Sequence, residues 1–239
     1  MTNTVTIDHA AWQALHTEVI ACRACPRLVA WREQVAQEKR RAYRDWDYWG
    51  KPVPGFGDPA GRLMVVGLAP GAHGSNRTGR PFTGDSSGNT LFAAMHQAGF
   101  ANQPTGRQVD DGLELIDAYL TAIGRCAPPK NRPTSQELQN CRPFFEREWT
   151  LMPQVKVVLA LGQLAFDGCR RLLADLGYQV PRLKFGHGVQ QLIAEPADLP
   201  PVHLLAAYHP SRQNTQTGRL TPEMLDDVFN QARSLLADE

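Results

Sequence analysis

The chain has 239 residues, 42% of them hydrophobic, with 25 Lys and Arg against 24 Asp and Glu and a formal net charge of +1. That length suits one α/β domain whose core needs no metal merely to fold, and the near-neutral charge carries no bulk signature of a nucleic-acid binder. The opening MTNTVTIDHA lacks the basic-then-apolar pattern of a secretory leader and no apolar run approaches a membrane span, so a soluble cytoplasmic protein with reduced thiols is expected.

Trp12, Leu15, Val19 and Ile20 lie at helical spacing and predict a helix over 8–20, and a second helix is predicted over 27–42, after Pro26. Cys22 and Cys25 fall in the turn between them. Asp47–Pro59, rich in Pro, Gly and aromatics, reads as a long ordered loop. The apolar run Leu63–Leu68 reads as a buried strand, followed by the loop Ala69–Gly84. Ser86 or Ser87 is expected to cap a helix ending near Ala98, with Gly99 at the C′ position. Tyr119–Ile123 is a second strand. Thr134 and Glu137 form a capping box that opens a helix carrying Cys141. Val155–Leu161 is the most β-like run, and Gly162 breaks it before a helix over 163–176. Val202–Tyr208 is the last strand and ends at His209-Pro210. Thr221-Pro222 then begins a final helix over 222–237. This alternation implies a parallel sheet covered on both faces, with a ligand site beyond the carboxyl ends of its strands. A single domain over 1–239 is expected, its N-terminal helical segment at 8–42 carrying the first two cysteines.

Cys22 and Cys25 form a C-x-x-C, and Cys126 and Cys141 form a wider pair far along the chain. Four thiols in two pairs can close a tetrahedral metal or iron–sulfur site that ties distant segments together. The Pro, Lys and Arg residues around the second pair favour such a site over unpaired structural cysteines, although the spacing selects no unique metal. Cys169 reads as a buried spectator on a helix. Lys39, Arg40 and Arg41 form a basic run that suits a solvated face or a functional one equally. Arg77, Arg80, Lys130, Arg132, Arg212 and Arg219 lie in loops, where phosphate contacts are expected.

Two loops leave strand ends and should converge on one site. The first is GLAPGAHGSNRTGRPFTGD, from Gly67 to Asp85. Its glycines let backbone N–H groups approach a ligand closely, but it is neither G-x-x-x-x-G-K-[ST] nor G-x-G-x-x-G. The second is HPSRQNTQTGRL, from His209 to Leu220, with a histidine at the strand terminus aimed at the cleft.

These loops, with Cys22-x-x-Cys25 and Cys126-Ala-Pro-Pro-Lys-Asn131, closely resemble the family 5 (type b) uracil-DNA glycosylases of bacteria and archaea. The resemblance runs from Cys22 to Leu220. It implies a three-layer α/β/α fold with a central four-stranded parallel sheet. It also implies a [4Fe–4S] cluster on one side, held by Cys22, Cys25, Cys126 and Cys141. Proteins of this kind cleave the N-glycosidic bond of deaminated bases in DNA and leave an abasic site. The expected partner is double-stranded DNA containing a damaged base, with single-stranded DNA a further candidate, and the expected form is a monomer at the prokaryotic nucleoid. Other branches carry a polar water-activating residue after the first strand, where this chain has Leu68 and Ala69. They carry a base-reading asparagine where this chain has Ala122. Both departures agree with family 5, and the alanine implies a wider range of bases, hypoxanthine included.

Such an enzyme extrudes its nucleotide into a pocket. Phe82 is the candidate to stack on the base, with core packing as the competing reading. His209 is the candidate donor to the base O2, stabilising charge on the departing base, against a plain role in capping carbonyls. Asp85 and Asn131 are assigned to orient water at C1′, the competing reading of Asp85 being a helix N-cap. Gly67, Ala69, Gly71 and His73 are expected against the substrate, the last near phosphate or water. Arg212, Gln213 and Asn214 are expected to contact DNA, and His187 and His203 to be structural or exposed. The rival class is a catalytically silent DNA-binding module clamped by a four-cysteine metal site. A phosphate hydrolase ranks last, because the cleft loops hold no DxD-like cluster.

Overall fold

The computed structural model describes residues 7–194 and 199–237; the first six residues of the opening segment lie outside the described residues. Helices α1 (His9–Ala21) and α2 (Pro26–Glu38) open the chain. Asp8 caps α1 by accepting from Ala11 N at 2.9 Å, and Pro26 begins α2. The predicted helix over 27–42 stops at Glu38, because Lys39 turns left-handed with φ 50. The remaining elements are β1 (Phe56–Gly57), β2 (Leu63–Gly67), α3 (Ser75–Thr78), α4 (Ser86–Gln97), β3 (Ala118–Ala122), α5 (Ser135–Leu151), β4 (Val157–Leu161), α6 (Gln163–Asp175), β5 (Gln190–Ile193), β6 (Val202–Ala207), α7 (Arg212–Gln216) and α8 (Pro222–Ala237).

The sheet has six strands in the order β1-β3-β2-β4-β6-β5. Its inner four strands run parallel, with Val65 beside Leu120 and Leu159, and Leu159 beside Leu205. The expected four-stranded, all-parallel sheet is therefore corrected to a mixed sheet, since β1 and β5 add antiparallel edges. The two central strands, β2 and β4, are buried on both faces, hence their unbroken apolar sequences. One face, with Leu63, Val65, Leu120 and Leu159, packs on α4 and α8. The other, with Met64, Val66, Val158 and Ala160, packs on α1, α5 and α6. Cys169 is buried on α6 within this second layer. Thr134 and Glu137 make the reciprocal capping box of α5. Among the described residues, no helix is long and apolar enough to cross a membrane.

Candidate active site

A cleft of about 890 Å³ opens beyond the carboxyl ends of the parallel strands. Ala69 enters it from the end of β2, Ala122 from β3 and His209 from β6. Phe82 holds φ 50, a backbone conformation that bulky residues avoid. Its ring lies over the end of β2, where a Cβ on Gly67 would stand 2.7 Å from it. Gly67 thus seats Phe82 and does not itself line the cleft. Phe82 stacks on His209 with ring centroids 5.6 Å apart and planes 29° apart. Both side chains line the cleft, so Phe82 does not merely fill the core.

His209 is held from behind. Gly162, with φ 94, passes so close that a Cβ there would be 3.3 Å from His209 Cβ. Asn214 Nδ2 donates to the His209 carbonyl at 2.8 Å, so this residue positions the loop and does not line the cleft beside Arg212 and Gln213. Burial lowers the His209 imidazole to about 4, which leaves it neutral near pH 7 as an N–H donor. His187 is structural, bonded to Met224 O and Tyr208 N.

Asp85 is the N-cap of α4, accepting from Gly88 N at 3.0 Å through Oδ1, which displaces Ser86 and Ser87 from that role. The same carboxylate lines the cleft. Its Oδ2 lies against the loop backbone: a Cβ on Gly74 would be 2.2 Å away, and one on Gly71 3.2 Å. Burial raises the Asp85 carboxyl above the ordinary aspartate value, against backbone hydrogen bonds from Gly88 and Ser87 and the charge of Arg77. Across the cleft, Lys130 and Asn131 both hold φ 55. Among the described residues, three of the five non-glycine residues with positive φ, Phe82, Lys130 and Asn131, therefore line this cleft, which is where backbone strain tends to collect.

Two expected phosphate contacts are corrected. Arg77 is buried, donating from Nε to His73 O at 2.9 Å and from Nη2 to Gly84 O at 2.7 Å. Arg80 is buried too, paired with Asp111 at 2.8 Å and bonded to Thr83 Oγ1 at 2.9 Å. Both are struts that hold the first loop in shape. The cations lining the cleft are Arg40, Arg125, Lys130, Arg132 and Arg212, of which Arg125 is spent on a buried ion pair. Sequence reasoning missed Tyr48, whose hydroxyl lies 3.1 Å from His73 Nδ1. The available signal was the density of aromatics from Tyr43 to Trp49, which has no periodicity to interpret.

The four cysteines Cys22, Cys25, Cys126 and Cys141 line one small pocket with Arg32, Asn140 and Arg125. Arg32 Nη1 donates to Cys126 Sγ at 2.8 Å, Asn140 Nδ2 to Cys25 Sγ at 3.3 Å and Arg125 N to Cys141 Sγ at 3.5 Å. Among the described residues, no group of three or more His, Cys, Asp or Glu is placed to hold a single metal ion. The thiols ring a shared pocket instead, and soft sulfur donors flanked by N–H groups fit an iron–sulfur cluster. Arg125 also lines the cleft, and its guanidinium forms a buried pair with Glu148 at 2.6 Å.

Residues 54–233 match the family model described as the uracil DNA glycosylase superfamily. The chain is 51% identical over 223 residues to the type-5 uracil-DNA glycosylase of Mycobacterium leprae, covering 92% of this chain and 94% of that one. It is 51% identical to that of Thermus thermophilus, over 93% of this chain and 97% of the relative. It is 44% identical to that of Pyrobaculum aerophilum, over 90% and 88%. Together with the parallel sheet and the cleft at its carboxyl ends, these matches show that the chain belongs to the uracil-DNA glycosylase superfamily, in its type-5 branch.

Proposed function

We propose that this chain is a DNA-repair glycosylase that hydrolyses the N-glycosidic bond of uracil in DNA and leaves an abasic site. The observation that carries the reading is the convergence of Phe82, His209 and Asp85 on one cleft. The extruded base stacks on Phe82. As the C1′–N1 bond breaks, its electron pair leaves with the base, and the neutral N–H of His209 donates to the base O2. The Asp85 carboxylate stabilises the positive charge on the sugar and, with Asn131, orients the water that adds to C1′, and the proton this water gives up ends on the departed base anion. Ala122 offers no hydrogen bond to the base edge, so hypoxanthine and other deaminated bases are accepted as well. Arg212 and Gln213, with the other cations at the rim, contact the phosphates of double-stranded DNA, or of a single strand. Cys22, Cys25, Cys126 and Cys141 hold a [4Fe–4S] cluster. Hydrolysis moves no electrons, so the cluster orders the segment from Cys126 to Cys141 against DNA. The protein acts as a one-domain monomer on DNA at the nucleoid.

The test is base release from end-labelled duplexes carrying one uracil or one hypoxanthine, followed by alkali. Strand cleavage at uracil only after alkali is expected, and cleavage at hypoxanthine supports the open pocket. His209 takes up a proton only near pH 4, so release should not fall as pH drops through 6.5, the ordinary histidine value. The acid limb belongs to Asp85, whose active carboxylate form is lost as pH falls through a value raised above 3.8. No release from folded, iron-loaded protein would leave the silent DNA-binding module in its place.

A further inference from the structure

The segment before β1 is fastened to the first cleft loop. Trp49 N donates to Arg77 O at 2.9 Å and Gly50 N to Asn76 O at 3.0 Å. The Arg77 guanidinium lies 4.0 Å from the ring centroids of both Tyr43 and Trp46, while its Nε holds the carbonyl of His73. This clamp brings Tyr48 Oη to 3.1 Å from His73 Nδ1, and Arg40 N donates to the same oxygen at 3.4 Å.

The direction of these bonds decides a tautomer. A phenol carries one hydrogen. The Arg40 N–H already occupies one acceptor position on its oxygen, which favours sending that hydrogen to His73 Nδ1. Nδ1 then accepts, and a neutral ring must carry its own proton on Nε2. Burial first, then the charges of Arg40 and Arg77, hold the His73 imidazole below the ordinary histidine value, so the ring is neutral. His73 and Arg40 both line the cleft. A fixed neutral donor beside a guanidinium suits an anion, and the anion that DNA presents next to a flipped base is a phosphodiester.

We propose that Tyr48 is a positioning residue, holding His73 as an Nε2–H donor to a phosphodiester beside the extruded nucleotide. This rests on the glycosylase reading above. It extends that reading to a residue outside both cleft loops.

The test compares wild type, Tyr48→Phe, His73→Ala and the double variant on a uracil duplex under single-turnover conditions, with ¹⁵N spectra of the histidines. His73→Ala should weaken half-saturation by DNA about tenfold or more, as expected for loss of a hydrogen bond to a charged group, and Tyr48→Phe should weaken it by less, since part of the rings keep the Nε2–H tautomer. The double variant should be no worse than His73→Ala. His73 should read as the Nε2–H tautomer in wild type and as a mixture in Tyr48→Phe. A neutral methylphosphonate beside the uracil should weaken binding by wild type more than binding by His73→Ala, which keeps only the Arg40 contact. Wild-type half-saturation in Tyr48→Phe, or additive losses in the double variant, overturns the proposal. If wild type releases no uracil, the glycosylase reading fails, while the ¹⁵N tautomer still decides the hydrogen-bond chain.

Discussion

Asp85 carries two assignments that the sequence presented as alternatives, and the geometry makes them compatible. Oδ1 caps α4 while Oδ2 stays over the glycine backbone at Gly71 and Gly74, within the cleft. Serine is as good an N-cap as aspartate but has no carboxylate. Asp85→Ser should therefore unfold within about 0.5 kcal/mol of wild type in urea while base release falls about 10²-fold or more. Asp85→Ala should lose that activity and about 1 kcal/mol of stability as well. A Ser variant with full activity would reduce Asp85 to a cap. The cleft positions of the residues proposed to carry chemistry were legible where type and position agree: a histidine at a strand terminus, a carboxylate at a helix start, an aromatic beside proline in a glycine loop. Arg77 and Arg80 were not legible. An arginine in a polar loop has the same sequence whether it reaches outward or folds back onto carbonyls, and here the backbone turns both inward.

At the scale of elements, the interior strands and the long helices follow from apolar runs bounded by caps, and their predicted limits differ from the observed ones by a few residues. The edges do not follow. Strand β1 is two residues inside a Pro-Gly loop, and β5 alternates only weakly between exposed and buried positions, so neither has a pattern to detect. The same limit hid α3 and α7, which span little more than one helical turn and so cannot repeat a hydrophobic face. The capping box was legible, but its further partner was not. Glu137, besides accepting from Thr134 N at 2.7 Å, receives Arg27 Nε at 2.7 Å and Nη2 at 2.6 Å. Arg27 lies two residues after Cys25 and Glu137 four before Cys141, so this carboxylate joins α2, which begins just after Cys25, to α5, which carries Cys141. Thr134→Ala should cost about 1 kcal/mol and leave iron content unchanged. Glu137→Ala removes the cap and the ion pair together, and iron bound per chain should fall on gel filtration. Equal iron retention by the two variants would detach Arg27–Glu137 from the cysteine site.

Across the whole molecule, the cores on the two faces of the sheet are built from strands and covering helices, whereas Cys25, Leu28 and Cys126 form a separate small cluster. The sheet therefore has its own apolar support, while the α2 junction relies on four thiols and a few polar contacts. The buried pair of Arg125 and Glu148 connects these parts: Arg125 Nη1 also donates to Thr121 Oγ1 on β3 at 2.6 Å, and its backbone N–H reaches Cys141 Sγ. Removing the proposed cluster by oxidation and chelation should thus loosen one part and spare the other. Hydrogen exchange should quicken over residues 22–38 and 126–141 while the amides of β2, β4 and β6 keep their protection, because the local opening does not cross the sheet. DNA affinity should fall in the same samples, since Lys130, Asn131 and Arg132 belong to the loosened segment. If the strands lost protection together with the cysteine segments, the clamp would be part of the global fold. If the cysteine segments kept theirs, the four thiols would be holding nothing that the polypeptide does not already hold.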